Sequence, residues 1–529
     1  MENMLGVMLD CSRNAVLSVS TIKEYANTLK QFGYNTLILY IEDTYEVDGH
    51  PYFGHLRGRY SKEELKEMDE YCVSIGIELI PCIQTLAHLE AIFKWENEYS
   101  DINDCDAILL IGEDKTYSLI DKMFSTFSEC LSTKKIHIGM DEAYRVGTGK
   151  YQQIHGIEDR FDIINKHLHK VCDIADKYDF EPMIWSDMFC KLAMNIQNQY
   201  DSGDISKIIE KAKLPENVTL VYWDYYSTDY NRYVEQIKVN KTFGRKVIFA
   251  GGAWTWKGIA PDNDFSIKTT NAALRACRDE GVGDVFITVW GDDGNECPKS
   301  AVFPSLFYAA ETYKGNEDME SIKSKFKKIT GCNFDDFLLF DKIDWPDGEN
   351  KPMKSFGKMF LYSDVFMGIT DGICKMQYED YYGKLASSLS DVSEKGNYAY
   401  LFDCYEKFAR VLEIKATLGI KIRKAYDDKN ISELKALTSK MDELTHRISD
   451  FHTAYENAWF KENKPHGFEV MDIRLGGLKQ RIASCQKRLL KYINGEITEI
   501  PELEEAVLEK NAKDFWSRLV SAGRISMTL

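Results

Sequence analysis

The sequence has no long apolar run: none approaches the roughly 18 to 20 residues that a bilayer-crossing helix needs, so no membrane partner is expected. The opening MENMLGVMLD lacks the positive segment, apolar stretch and small-residue cleavage site of a secretion signal. Paired cysteines are missing too. The 13 cysteines are odd in number and scattered, with no CxxC pair and no metal-like spacing, which fits free thiols in a reducing, cytoplasmic compartment. Net positive charge is absent: 66 Lys and Arg stand against 84 Asp and Glu, a balance of -18. That excess argues against nucleic acid or an anionic membrane surface as partner. There is no internal repeat and no low-complexity tract.

What is present is a chain of 529 residues, 44% hydrophobic, long enough for one large domain and a second. Short apolar, β-rich runs recur: LGVMLD (5–10), TLILYIE (36–42), IELIPCI (77–83), KIHIGM (135–140), EPMIWSD (181–187), VTLVYWDY (218–225), KVIFAGGAW (246–254) and DVFITVW (284–290). Amphipathic segments such as TIKEYANTLKQFGYN lie between them, ending in the glycine expected past a helix. Eight buried strands alternating with helices predict a parallel (β/α)8 barrel over residues 1–315. The first strand starts so early that no preceding domain is expected. After about 315 the strand signals stop and long charged helical patterns predict a C-terminal all-α domain, 316–529. Within it, KPHGFEVMDIRLGGLKQR reads as a loop near the barrel mouth.

Barrel chemistry sits where strands end. Those ends carry Asp10 with Arg13, Glu42 with Asp43, Gln84 with His88, Asp141 with Glu142, Trp185 with Asp187, Tyr222 to Asp224, Trp254 with Trp256, and Trp290 with Asp292. Carboxylates beside flat aromatic rings suit a sugar: acids for acetal chemistry, rings for the apolar face of a pyranose. Two working carboxylates must straddle the scissile bond, yet adjacent residues in extended chain point to opposite faces. Asp141 and Glu142 are therefore poorly placed as nucleophile and acid, so either another strand or the substrate supplies the nucleophile. Tyr222 and Trp223 alternate in the same way, so a regular strand presents only one of them to a ligand. His137 lies inside a strand and reads as structural.

HIGMDEA (137–143) resembles the H-x-G-x-D-E signature of family-20 glycoside hydrolases, the β-N-acetylhexosaminidases, and flanking features keep that family's order over roughly residues 3–313. The chain resembles the compact intracellular members that lack an N-terminal α/β domain. The resemblance implies an exo-enzyme without metal or cofactor that releases terminal β-linked GlcNAc or GalNAc with retention. The substrate's 2-acetamido oxygen is then the nucleophile and an oxazolinium the intermediate. It implies Glu142 as general acid and base, Asp141 as the residue orienting the acetamide, and His88 behind the acid. Arg13 is implied at O3 and O4, and Asp224 and Asp292 at O4 and O6. Tyr222 is implied at the acetamide oxygen, with Trp185 and Trp290, joined by Trp223 or Trp254, around its methyl. The third strand reads PCIQTLAH where the family has PEID-PGH, and the second reads IEDT for TDDQ, leaving Glu42 or Asp43 to partner His88.

Three rival readings carry distinct signatures. A metal hydrolase using His137, Asp141 and Glu142 would lose activity in chelator. A two-carboxylate glycosidase would hydrolyse plain glucosides or galactosides. A glycan-binding scaffold would show affinity without product.

Overall fold

The computed structural model describes residues 3–507 apart from Ser202 and Met353, with Asp293 described by its backbone alone. Eight parallel strands close into a barrel in sequential order. They are β1 (Leu5–Asp10), β2 (Thr36–Tyr40), β3 (Glu78–Cys82), β4 (Lys135–His137), β5 (Glu181–Trp185), β6 (Thr219–Trp223), β7 (Val247–Gly252) and β8 (Val285–Val289). β1 pairs with both β2 and β8, which closes the ring. Each expected apolar run holds one strand, and β1, β2, β7 and β8 are buried along their whole length. Such strands are covered on both faces, which is why they read as continuous rather than alternating apolar runs.

The intervening helices are bounded by local chemistry. Ser18 caps the helix Val19–Phe32 by accepting from Thr21 N–H, and Gly33 ends it at φ +98. Ser61 and Glu64 form a reciprocal capping box on Lys62–Ser74. Side-chain direction follows from one contact: Trp185 on β5 meets Phe286 on β8 inside the barrel, ring centroids 5.9 Å apart. Trp185 is in register with Val221, and Trp223 and Phe286 are both in register with Ala250. Val221 and Trp223 therefore face inward, and Tyr222 faces outward.

One strand is shorter than its sequence run. β4 stops at His137, whereas KIHIGM extends to Met140, because Gly139 and Met140 both take φ +71 and leave the extended region.

The chain forms two compact units. The first runs through Ala253 and takes in Ser266–Trp290 and Leu306–Glu317; the second comprises Trp254–Phe265, Gly291–Ser305 and the described chain from Asp318. The second unit is helical, built on Tyr378–Asp391, Ala399–Asp427, Ile431–Glu462 and Phe468–Ile493. In its interior Glu296 takes both Lys358 and Arg474, and Lys257 takes Asp262 at 2.9 Å. The segment expected as a loop near the barrel mouth is mostly helix. Phe468–Ile493 runs straight through Gly476 and Gly477, its long apolar face outweighing two poor helix formers. Positions 508–529 of the expected C-terminal domain lie outside the described residues. No helix among the described residues is long and apolar enough to cross a membrane.

Candidate active site

The stretch after β4 is held by one amide. Gln84, just past β3, accepts from Met140 N–H through Oε1 (3.2 Å) and donates from Nε2 to Asp141 Oδ1 (2.8 Å) and Tyr40 Oη (2.9 Å). A Cβ on Gly139 would stand 2.1 Å from Gln84 Oε1, so only glycine lets the strand end lie this close. Glu142 takes φ +51, which is costly for a residue with a side chain, and its N–H donates to Asp187 Oδ2 at 3.2 Å. The backbone here is not extended, so the alternation expected of Asp141 and Glu142 does not apply. One oxygen of each carboxylate and one His88 nitrogen lie within 4.8 Å of one another.

Charge is arranged around that cluster. His88 Nε2 stands 3.2 Å from Asp141 Oδ2 and 3.7 Å from Glu142 Oε2. The shorter contact is too poorly aligned to be a hydrogen bond, and its strength is Coulombic. Burial pulls the His88 imidazole down most strongly of any single influence, but Asp141 and Glu42 together more than reverse it and carry it up to about 9. Burial likewise pushes Asp141 up, and His88 with Gln84 more than reverses it, to about 2. Arg13 completes the ring: its Nε donates to Glu42 Oε1 at 2.9 Å, and Nη2 lies 3.5 Å from His88 Nδ1. Asp43 is held instead by Arg57 at 3.0 Å, so Glu42 is the acid on the His88 side.

His88, Asp141 and Glu142 are donor types that could hold a divalent cation. In the structure the His88 imidazole, held protonated by its acid neighbours, forms an ion pair with Asp141. His137 is outside this cluster: it is buried, accepts Gly139 N–H at 3.1 Å through Nδ1, and burial drops it to about 3.

Beneath the acids lies an aromatic floor. Trp185 packs on His137 (4.3 Å) and on Trp290 (6.0 Å), and Trp290 stands edge-on to Tyr40 (4.8 Å). Trp290 Nε1 donates to Tyr225 Oη at 3.0 Å, and Tyr225 stacks on Trp223 at 5.4 Å. Gln84 and Tyr40 link these rings to the acids, and flat rings beside carboxylates suit a molecule with one apolar face and a ring of hydroxyls.

Asp141, Glu142, His88, Arg13, Trp185, Trp223 and Trp290 thus come together in the first unit. Tyr222 does not: on the outer side of β6 its ring packs on Phe249 (5.6 Å) and its hydroxyl donates to Asp224 Oδ2 (3.3 Å). Asp224 has no exposed side-chain surface and also holds Arg232 at 3.3 Å, so neither residue presents a polar atom to the floor. Trp254 and Asp292 belong to the second unit, where Trp254 stacks on Trp256 (4.4 Å) and Asp292 opens the 3-10 turn Asp292–Gly294. Tyr40, Tyr144, Lys191 and Tyr225 were given no role from sequence. Tyr144 directly follows the motif, which was the one local signal; Lys191 sits inside a helix and gave none.

Residues 5–252 match the family model described as "Glycosyl hydrolase family 20, catalytic domain", and residues 335–518 match "Glycoside Hydrolase 20C C-terminal domain". Bovine hexosaminidase D is 23% identical over 256 residues, covering 47% of this chain and 69% of that protein. Human hexosaminidase D is 23% identical over 222 residues, covering 40% of this chain and only 43% of its own length. Among solved structures, a Vibrio harveyi family-20 exo-β-N-acetylglucosaminidase in complex with N-acetylglucosamine aligns with a TM-score of 0.48 and 16% identity, over 64% of this chain and 58% of that one. Two models of one family, falling separately on the barrel and on the helical region, agree with the acid pair at the end of β4: this chain belongs to glycoside hydrolase family 20.

Proposed function

We propose that the protein is an exo-β-N-acetylhexosaminidase that removes terminal, non-reducing β-linked GlcNAc or GalNAc with retention, by substrate-assisted catalysis. The observation that carries this is the unequal state of the two acids. Asp141 is 12% exposed and engaged at both oxygens, by Gln84 and His88, while Glu142 is 40% exposed. A carboxylate held anionic down to about 2 suits the charge of an acetamide nitrogen that becomes positive, and is a poor free nucleophile. Other strand-end carboxylates of the first unit are also engaged: Asp10 by Ser12 and Arg13 N–H, Glu42 by Arg13 and Tyr40.

In the first step the Glu142 proton passes to the glycosidic oxygen as the bond from C1 to that oxygen breaks, and the acetamido oxygen closes on C1 to give the oxazolinium. Water then attacks C1 from the face the leaving group vacated, giving its proton back to Glu142 as the ring reopens, so configuration is retained. Trp185, Trp223 and Trp290 enclose the acetamide methyl and the apolar sugar face, and Arg13, cationic beside Glu42, faces the ring hydroxyls.

The test is hydrolysis of p-nitrophenyl β-GlcNAc and β-GalNAc beside the matching β-glucoside and β-galactoside, with a thiazoline mimic of the oxazolinium as inhibitor. Turnover confined to the acetamido sugars and blocked by the thiazoline supports the reading. Equal turnover of plain sugars overturns it, and binding without product returns the protein to a glycan scaffold.

A further inference from the structure

We propose that Tyr144, backed by Lys191, is a positioning residue that braces the Glu142 carboxyl while it gives and takes its proton. This rests on the reading of Glu142 as proton donor.

The brace is a closed ring of four groups. Tyr144 Oη donates to Glu142 Oε1 at 3.0 Å. Lys191 Nζ donates to Tyr144 Oη at 2.9 Å and lies 3.9 Å from Asp187 Oδ2. Asp187 Oδ2 in turn accepts the Glu142 backbone N–H, so the ring ends on the residue where it began. Two strand ends and the helix Asp187–Met194 are tied to one carboxyl by it.

Its chemistry is specific. A phenol has one proton, and an ammonium donating to its oxygen leaves that proton one direction to go, toward Glu142. Lys191 is buried and also sits over the Tyr144 ring at 4.3 Å, so it is fixed rather than mobile. Oε1 can accept the phenol proton whether Glu142 is a carboxylate or a carboxylic acid. Oε2 is then the oxygen that carries the transferable proton, and the brace holds through both half-reactions. Without it a half-exposed glutamate on a left-handed backbone samples several rotamers, and a general acid works only within hydrogen-bond reach of its target.

The substitution Tyr144→Phe tests this, since the ring is 47% exposed and losing one oxygen leaves the packing alone. kcat/KM is measured on β-GlcNAc glycosides whose leaving groups run from dinitrophenol to an alkyl alcohol, beside Glu142→Gln. We expect Tyr144→Phe to lose about 10-fold on the alkyl glycoside and less than about 3-fold on the dinitrophenyl one, because a good leaving group departs without protonation. Lys191→Met combined with Asp187→Asn, which keeps the buried charge balanced, should show the same pattern and add little to Tyr144→Phe. Equal losses on every leaving group, with Glu142→Gln still strongly dependent on it, would overturn the brace alone. No dependence in Glu142→Gln would overturn the proton-donor reading and the brace with it.

Discussion

The His88–Asp141 pair makes stability depend on pH in a direction that can be worked out beforehand. His88 rises from its ordinary 6.5 to about 9 in the fold. A group whose folded value is raised contributes fully below its unfolded value and loses that contribution as pH climbs through the folded one, so the window is about pH 6.5 to 9. A difference of 9 − 6.5 at about 1.4 kcal/mol per pH unit is about 3 kcal/mol. From the other end, Asp141 falls from 3.8 to about 2, or about 2 kcal/mol. These are one Coulomb contact seen from its two partners and are not added; the histidine figure is larger because Glu42 also favours the imidazolium. The side chains are 17% and 12% exposed, so solvent screens them little. The assay is urea unfolding of the wild type and His88→Gln at pH 6 and pH 10, followed by tryptophan fluorescence. The wild type should be the more stable at pH 6, and its advantage should shrink by about 2 to 3 kcal/mol at pH 10. An advantage that stays constant across that range refutes the ion pair.

Three further outcomes follow from the site. Gly139→Ala should cost more than about 2 kcal/mol in unfolding free energy and lower kcat, because the methyl displaces Gln84 at a backbone of φ +71; a neutral result would mean that Gln84 does not pin the motif. Arg13→Ala leaves Glu42, already raised by burial, without its cation, at about 3 kcal/mol. That deficit should shrink as pH falls, since a protonated Glu42 needs no partner, and urea midpoints across a series of acidic pH values check it. Asp187 is pushed up to about 7 by burial and by the Asp141 charge. Its folded value is raised, so the wild-type carboxyl loses stability as pH climbs from about 4 through 7, and Asp187→Asn should compare better at pH 8 than at pH 4 in thermal unfolding.

The barrel was legible because its signal is local. Runs such as LGVMLD and TLILYIE are apolar throughout, and each is a strand buried on both faces. The positions of Asp141, Glu142 and Trp185 at strand ends were legible for the same reason. Where regular periodicity held, it decided well: Trp223 faces inward and Tyr222 outward, as alternation along β6 requires. Where it failed, partners distant in sequence overrode it. The acids were expected on opposite faces, and they converge because Met140 and Glu142 adopt positive φ. Local propensity disfavours that conformation in both residues, and the hydrogen bonds that their N–H groups donate to Gln84, 56 positions away, and Asp187, 45 away, hold it. The glycine pair at 476 and 477 misled in the opposite sense, since helix packing overrode two weak helix formers.

By itself, then, the sequence determined the order of the elements, the closure of the barrel, the acid pair at the fourth strand's end and the helical character of residues 318–507. Each rests on interactions between near neighbours or on the burial preference of single side chains. Only the tertiary structure decided that Asp141 is the more buried acid and Glu142 the more exposed, that Asp43 is taken by Arg57 while Glu42 pairs with Arg13, and that Tyr144 and Lys191 reach Glu142. Those outcomes depend on distances of about 3 Å between particular side chains, among them His88 and Asp141, 53 residues apart, and Lys191 and Tyr144, 47 apart, which no local pattern encodes.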